Sequence, residues 1–95
     1  MEIHHEEGKK GIFYIDEGGE RLAELQYFHP HPGQMNIYHT EVSTKLAGQG
    51  VGKKLVGEAV KYARENKLKV TATCPFAQKV IDKTPEFQDV IANAV

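Results

Sequence analysis

Three alternating glycines, Gly48, Gly50 and Gly52, stand directly before a stretch of helical apolar periodicity. Val51, Leu55, Val56, Ala59, Val60 and Ala63 share one face of a 3.6-residue repeat, and Lys53, Lys54, Glu58, Lys61 and Arg64 lie outside it. Residues 35–42 before the glycines read as a strand, and residues 68–73 after the helix read as another. Strand, loop, helix and strand at this spacing form a crossover unit, so the two strands are expected to run parallel with a right-handed connection. The carboxyl ends of both strands, near Val42 and Cys74, then fall on the same sheet edge as the start of the helix. Open α/β sheets bind their ligands at that edge.

The chemistry of the loop follows from its backbone. The first four amides of a helix lack intrahelical acceptors, and the helix dipole is positive there, so a bare N-terminus attracts anions. Glycine lets such a backbone approach a bulky phosphate and take turns closed to other residues. Two common phosphate loops do not fit. A P-loop requires G-x-x-x-x-G-K-[ST], but Ala47 occupies its first glycine position and Lys54 its hydroxyl position. A dinucleotide fingerprint requires G-x-G-x-x-G, and its third glycine falls on Lys53.

Length allows one domain, residues 1–95, with a single modest core. An apolar share of 40% fits a globular chain rather than a disordered tail. A net charge of −1 gives no support to non-specific nucleic-acid binding. No run is long enough to span a membrane, and the acidic start from Met1 to Glu7 does not resemble a signal peptide. Cys74 is the single cysteine, which excludes an internal disulfide and a Cys-rich zinc site. These points favour a soluble cytoplasmic protein, as a monomer or weak dimer, without a nucleic-acid or membrane partner.

Elsewhere the pattern is mostly strand. Residues 2–7 read as an edge strand and residues 11–16 as a strand rich in aromatic and β-branched side chains. Gly18-Gly19 supplies a hairpin turn into a partner strand over residues 21–28. Strict alternation along residues 35–42 would place Ile37, His39 and Glu41 on one face and Tyr38, Thr40 and Val42 on the other. Asn66 is the expected end of the first helix, and Pro75 opens a second through Phe76, Val80 and Ile81. Phe87, Val90 and Ile91 close the domain. His29-Pro30-His31, with His4 and His5, does not make a metal site by spacing, because such a site needs at least three convergent ligands. No metal is expected.

The loop resembles the pyrophosphate loop of GNAT-type N-acetyltransferases, Q/R-x-x-G-x-G/A, with Ala47 in the Q/R position and Gly50 and Gly52 in the glycine positions. Many members of that family carry N-x-x-A-x-x-x-Y farther on. Here Ala77 matches, Cys74 replaces the asparagine, and Ile81 replaces the tyrosine that often serves as general acid. His39-Thr40-x-Val42, the glycine loop, Cys74 with Phe76 two residues on, and Pro85-x-Phe87 occur in the order found in the minimal, stand-alone GNAT-like acetyltransferases. The likeness covers roughly residues 10–91. It implies a minimal α/β (α+β) fold: a mainly antiparallel sheet, a parallel splayed strand pair, and two C-terminal helices.

It also implies an acetyl-CoA-dependent N-acetyltransferase acting on a small-molecule or protein amine. The alternative is a coenzyme A-binding module with little or no transfer activity. The pyrophosphate would rest on the amides of Gly48, Gln49, Gly50, Val51, Gly52 and Lys53, with Lys53 and Lys54 near the phosphates or simply solvated. The pantetheine arm would pass Thr40 and Val42, and Phe76 would flank it or fill the core. His39 and Cys74 are the catalytic pair that the resemblance implies, with His39 as base. Cys74 would then accept the acetyl group or protonate the departing thiolate. Glu41 is the other candidate base, because the family often uses a carboxylate on this strand. Intrinsic chemistry permits both choices, since an imidazole titrates near neutrality and a helix N-terminus lowers a thiol pKa.

Overall fold

The computed structural model describes residues 2–92. Five strands form one sheet in sequence order: β1 His4–Glu6, β2 Lys10–Glu17, β3 Glu20–Phe28, β4 Gln34–Val42 and β5 Lys69–Ala72. The first four are antiparallel, and β5 lies parallel to β4. Helix α1, Val51–Glu65, makes the crossover from β4 to β5, and α2, Pro75–Asp82, follows β5. This is the small mixed α/β sheet that the resemblance implied. Gly18 and Gly19 both take positive φ, +58° and +80°, and form the two-residue hairpin turn. Two short 3₁₀ segments, Thr44–Leu46 and Pro85–Val90, are the remaining helical turns among the described residues. No helix among the described residues is long and apolar enough to cross a membrane.

β4 departs from strict alternation. Gln26 pairs with His39 and Tyr27 with Ile37, so Tyr38 is an extra residue opposite the β3 ladder. Such a bulge shifts the phase of the strand by one position. Ile37 is therefore on the face covered by α1, and so are Thr40, opposite Leu25, and Val42, opposite Ala23. His39 and Glu41 fall on the uncovered face, opposite Gln26 and Glu24. The grouping of Ile37 with His39 and Glu41 expected from alternation is thus wrong. The inserted residue separates them, and nothing in the local pattern of apolar and polar residues announces it.

The core lies between the sheet and α1. Tyr27, Leu25, Met35, Ile37, Leu55, Val56, Val60 and Val70 are fully buried. A Cβ at Gly11 would collide with the Tyr27 ring, so that glycine makes room for the aromatic opposite it. At the β1 edge, His5 stacks on Phe13 at 3.9 Å between ring centroids, and its Nε2 is 2.6 Å from the Tyr27 hydroxyl. Burial holds the His5 imidazole below its ordinary value of 6.5, against an opposing pull from Glu7.

That depression has a definite sign for stability. Well above 6.5 His5 is neutral in both states. As the pH falls below that value, the unfolded chain takes the proton first and the folded state loses stability, until folded His5 titrates as well. His5→Gln keeps a polar group near Tyr27 but removes the titration. The difference in melting temperature between wild type and His5→Gln, followed from about pH 8 to about pH 5, should shift in favour of the variant on the acid side. A pH-independent difference would show that His5 is not the group responsible.

Candidate active site

The β4–β5 ladder ends early. Its last pair is Ile37 with Ala72, and the amides of Thr73 and Cys74 both donate to Ile37 O, at 3.0 and 3.3 Å. β4 continues to Val42 without β5 beside it, so the two strands splay at their carboxyl ends. A cleft of roughly 200 Å³ opens there, lined by Thr40, Glu41, Val42 and Phe76.

The glycine loop meets this cleft. Gly48 and Gly50 have φ of +79° and +67°, a region that costs other L-residues about 1–2 kcal/mol. Gly50 is the N-cap of α1, and the first helical bond runs from Lys54 N to Gly50 O at 3.1 Å. The amides of Gly50, Val51, Gly52 and Lys53 precede that bond and have no intrahelical acceptor. The first turn holds no acidic residue, and Lys53 and Lys54 are exposed on it. A Cβ on Gly52 would lie 2.5 Å from Phe76 Cζ, so the missing side chain seats that ring against the start of α1. Phe76 is 45% exposed, the one exposed large apolar side chain among the described residues, and it lines the cleft.

Cys74 is the N-cap of α2 and is mostly enclosed. Its Sγ lies 3.3 Å from Thr40 Oγ1. Burial pushes the thiol up, but the Thr40 hydroxyl and the backbone amides of Ala77, Phe76 and Thr40 together outweigh it and hold the group below the ordinary thiol range. The amides at the start of α2 close no capping bond with the sulfur. They act on it as aligned dipoles, which favour the thiolate.

His39 is elsewhere. On the uncovered face its Nε2 is 3.7 Å from Glu24 Oε2 and 3.8 Å from Glu41 Oε2. Glu24 is largely enclosed, bonded to Gln26 Nε2 and 3.4 Å from Arg21 Nη1, and Gln26 in turn accepts from the Tyr38 hydroxyl at 2.9 Å. Among the described residues no hydrogen bond joins His39 to Cys74. The two candidates flank β4 from opposite sides, with Thr40 next to one and Glu41 next to the other.

Glu24, Gln26 and Tyr38 escaped the sequence reading. Alternation along β3 places Glu24 and Gln26 on one face, but their neighbours on β4 depend on the bulge. Ligand atoms of Glu24, His39 and Glu41 lie within 4.8 Å of one another, a grouping that the spacing of the histidines did not suggest. Three other histidines have separate neighbours: His4 stacks on Tyr14, His5 on Phe13, and His29 Nδ1 is 2.8 Å from Gln34 O.

Comparison with known proteins agrees with this architecture. Residues 12–90 match the family model described as GCN5-related N-acetyl-transferase. A solved GCN5-like chain from Staphylococcus aureus is 43% identical, with a TM-score of 0.78, over 99% of this chain and 90% of that one. Protein NATD1 of Xenopus tropicalis is 26% identical over 85 residues, 90% of this chain and 78% of the frog protein. A chain from Bacillus anthracis str. Ames, solved in complex with acetyl coenzyme A, shares the fold at 18% identity and a TM-score of 0.60, over 78% of this chain and 48% of that one.

Proposed function

Because this chain belongs to the GCN5-related N-acetyltransferase family, we propose that it binds acetyl-CoA and transfers the acetyl group to an amine. The observation that carries the reading is the convergence, at one splayed strand end, of an acid-free helix N-terminus and a polarised thiol. The pyrophosphate rests on the loop amides around Gly50 to Lys53, and Lys53 and Lys54 add positive potential. The pantetheine arm runs past Phe76 into the gap beside Thr40 and Val42. A relative of the same fold holds acetyl coenzyme A, which supports that choice of ligand.

The two sides of β4 divide the proton work. On the uncovered face His39 takes a proton from the incoming ammonium, and the freed amine nitrogen attacks the acetyl carbonyl carbon. The tetrahedral intermediate then breaks its C–S bond, and its nitrogen releases the surplus proton to solvent as the neutral amide forms. Cys74, on the other side, gives its proton to the departing coenzyme thiolate, and the resulting cysteine thiolate is received by the Thr40 hydroxyl and the α2 dipoles. This supplies the acid that Ile81, in the position of the usual tyrosine, cannot.

Titration with acetyl-CoA, followed by intact-mass analysis and by iodoacetamide labelling, tests the reading. The coenzyme should bind one to one and slow the alkylation of Cys74, whose labelling should already proceed at lower pH than that of free cysteine. A stable mass increase of one acetyl group would move Cys74 from proton donor to covalent carrier. Failure to bind acetyl-CoA would overturn the reading as a whole. Binding without turnover across a panel of amines would leave the coenzyme-binding module.

A further inference from the structure

A second and larger opening, roughly 330 Å³, lies between the start of β3 and the end of β4, bounded by residues 21–24 and 41–43. Glu41 and Val42 line both this opening and the smaller cleft beside Phe76. The carboxyl end of β4 is therefore a partition with a cavity on either side. One cavity adjoins the glycine loop and Phe76. The other adjoins Glu24 and Glu41, the two carboxylates that flank His39.

We propose that this second opening is the acceptor site, and that it takes a primary alkylamine in its ammonium form that carries no carboxylate of its own. The inference rests on the acetyl-transfer reading for the position of the acetyl group, and it adds the place and charge of the acceptor.

The charge of the walls decides the class. Glu24 and Glu41 present two carboxylates, and Arg21 is the cation among the lining residues. Arg21 is already engaged: its Nε binds Asp16 at 2.5 Å, its Nη1 is 3.4 Å from Glu24, and its guanidinium carbon sits 4.1 Å over the Tyr14 ring. A substrate carboxylate would meet Glu24 and Glu41 without a free guanidinium to hold it. An ammonium would meet both acids and lie beside His39, whose Nε2 is within 3.8 Å of each. The same pair that attracts the cation thus delivers its proton to the imidazole. Glu24 is the specificity residue, because Gln26 and Tyr38 hold its carboxylate in place while Glu41 is exposed.

Amide NMR of the labelled protein tests this with butane-1,4-diamine and glycine as probes. Coenzyme A is added first, and shifts at residues 48–53 report the coenzyme site. Butane-1,4-diamine is then added and should move the amides of residues 22–24 and 41–43, whereas glycine should not. Glu24→Gln should weaken the diamine by about tenfold or more, the effect expected for losing a charged hydrogen-bond partner, and should leave the coenzyme A shifts in place. In turnover, the same variant should raise KM for the diamine.

Diamine shifts elsewhere, equal binding in Glu24→Gln, no diamine binding, or glycine binding as well as the diamine would each overturn the acceptor assignment. Absence of coenzyme A shifts at residues 48–53 would instead overturn the coenzyme reading, and the diamine result would still show whether the second opening takes a cation.

Discussion

His39→Gln should lower acetyl transfer by about 100-fold or more, the usual worth of a positioned general base, and should leave acetyl-CoA affinity unchanged. Glutamine keeps a polar group on the strand but has no nitrogen that takes up a proton near neutral pH. The proposed coenzyme contacts, at the loop and in the cleft beside Phe76, do not include His39. The geometry also names the competitor. Glu41 is the neighbouring carboxylate, 3.8 Å from His39 Nε2 and 73% exposed in its side chain, so it can reach the same ammonium. Parallel measurement of Glu41→Gln separates the two. If that variant abolishes turnover while His39→Gln retains it, the carboxylate is the base and the imidazole a neighbour.

Gly50→Glu should weaken acetyl-CoA binding by about tenfold or more, equivalent to about 1.4 kcal/mol. Two effects act in the folded protein. A side chain at φ +67° costs about 1–2 kcal/mol of backbone strain. A carboxylate at the N-cap of α1 recovers about 0.3–1 kcal/mol against the helix dipole, so the fold should persist. The new carboxylate would then compete for the amides to which the proposed function assigns the pyrophosphate. No heavy atom lies within 4 Å of a Cβ built at this position, so the side chain leaves the backbone into open space. Gly50→Asn is the control, because asparagine tolerates positive φ and carries no charge. Calorimetric titration of both variants decides the matter. Equal affinity for wild type and a folded Gly50→Glu would remove the loop from the coenzyme site.

The features readable from the chain alone were local ones. Alternating glycines followed by an apolar stripe define the loop and the 15-residue α1 from neighbouring residues, and the distribution of Val51, Leu55, Val56, Ala59, Val60 and Ala63 is enough to choose the buried face. Gly18-Gly19 likewise encodes its hairpin within two positions, since only a residue free to take positive φ suits that turn. The order strand, loop, helix and strand was sufficient for the parallel β4–β5 pair, because short crossovers have one workable handedness. The ends of β5 were less well defined. Residues 68–73 read as strand, but Leu68 N bonds Ala63 O at the end of α1, and Thr73 leaves the ladder where β4 and β5 separate.

What the tertiary structure decided is which side of β4 each chemical group occupies. The one-residue insertion at Tyr38 is stabilised by pairing with β3, by the Tyr38 hydroxyl on Gln26 and by the ring of Phe28 at 5.7 Å, and those partners lie ten or more residues away along the chain. It turns His39 and Glu41 away from Ile37 and toward Glu24, and it leaves Thr40 facing Cys74. Side-chain alternation is a property of one strand, whereas register is a property of two. The chain's own periodicity therefore brought His39, Thr40, Glu41, Cys74 and the glycine loop to one sheet end, but only the cross-strand pairing divided them into a thiol side and an imidazole side.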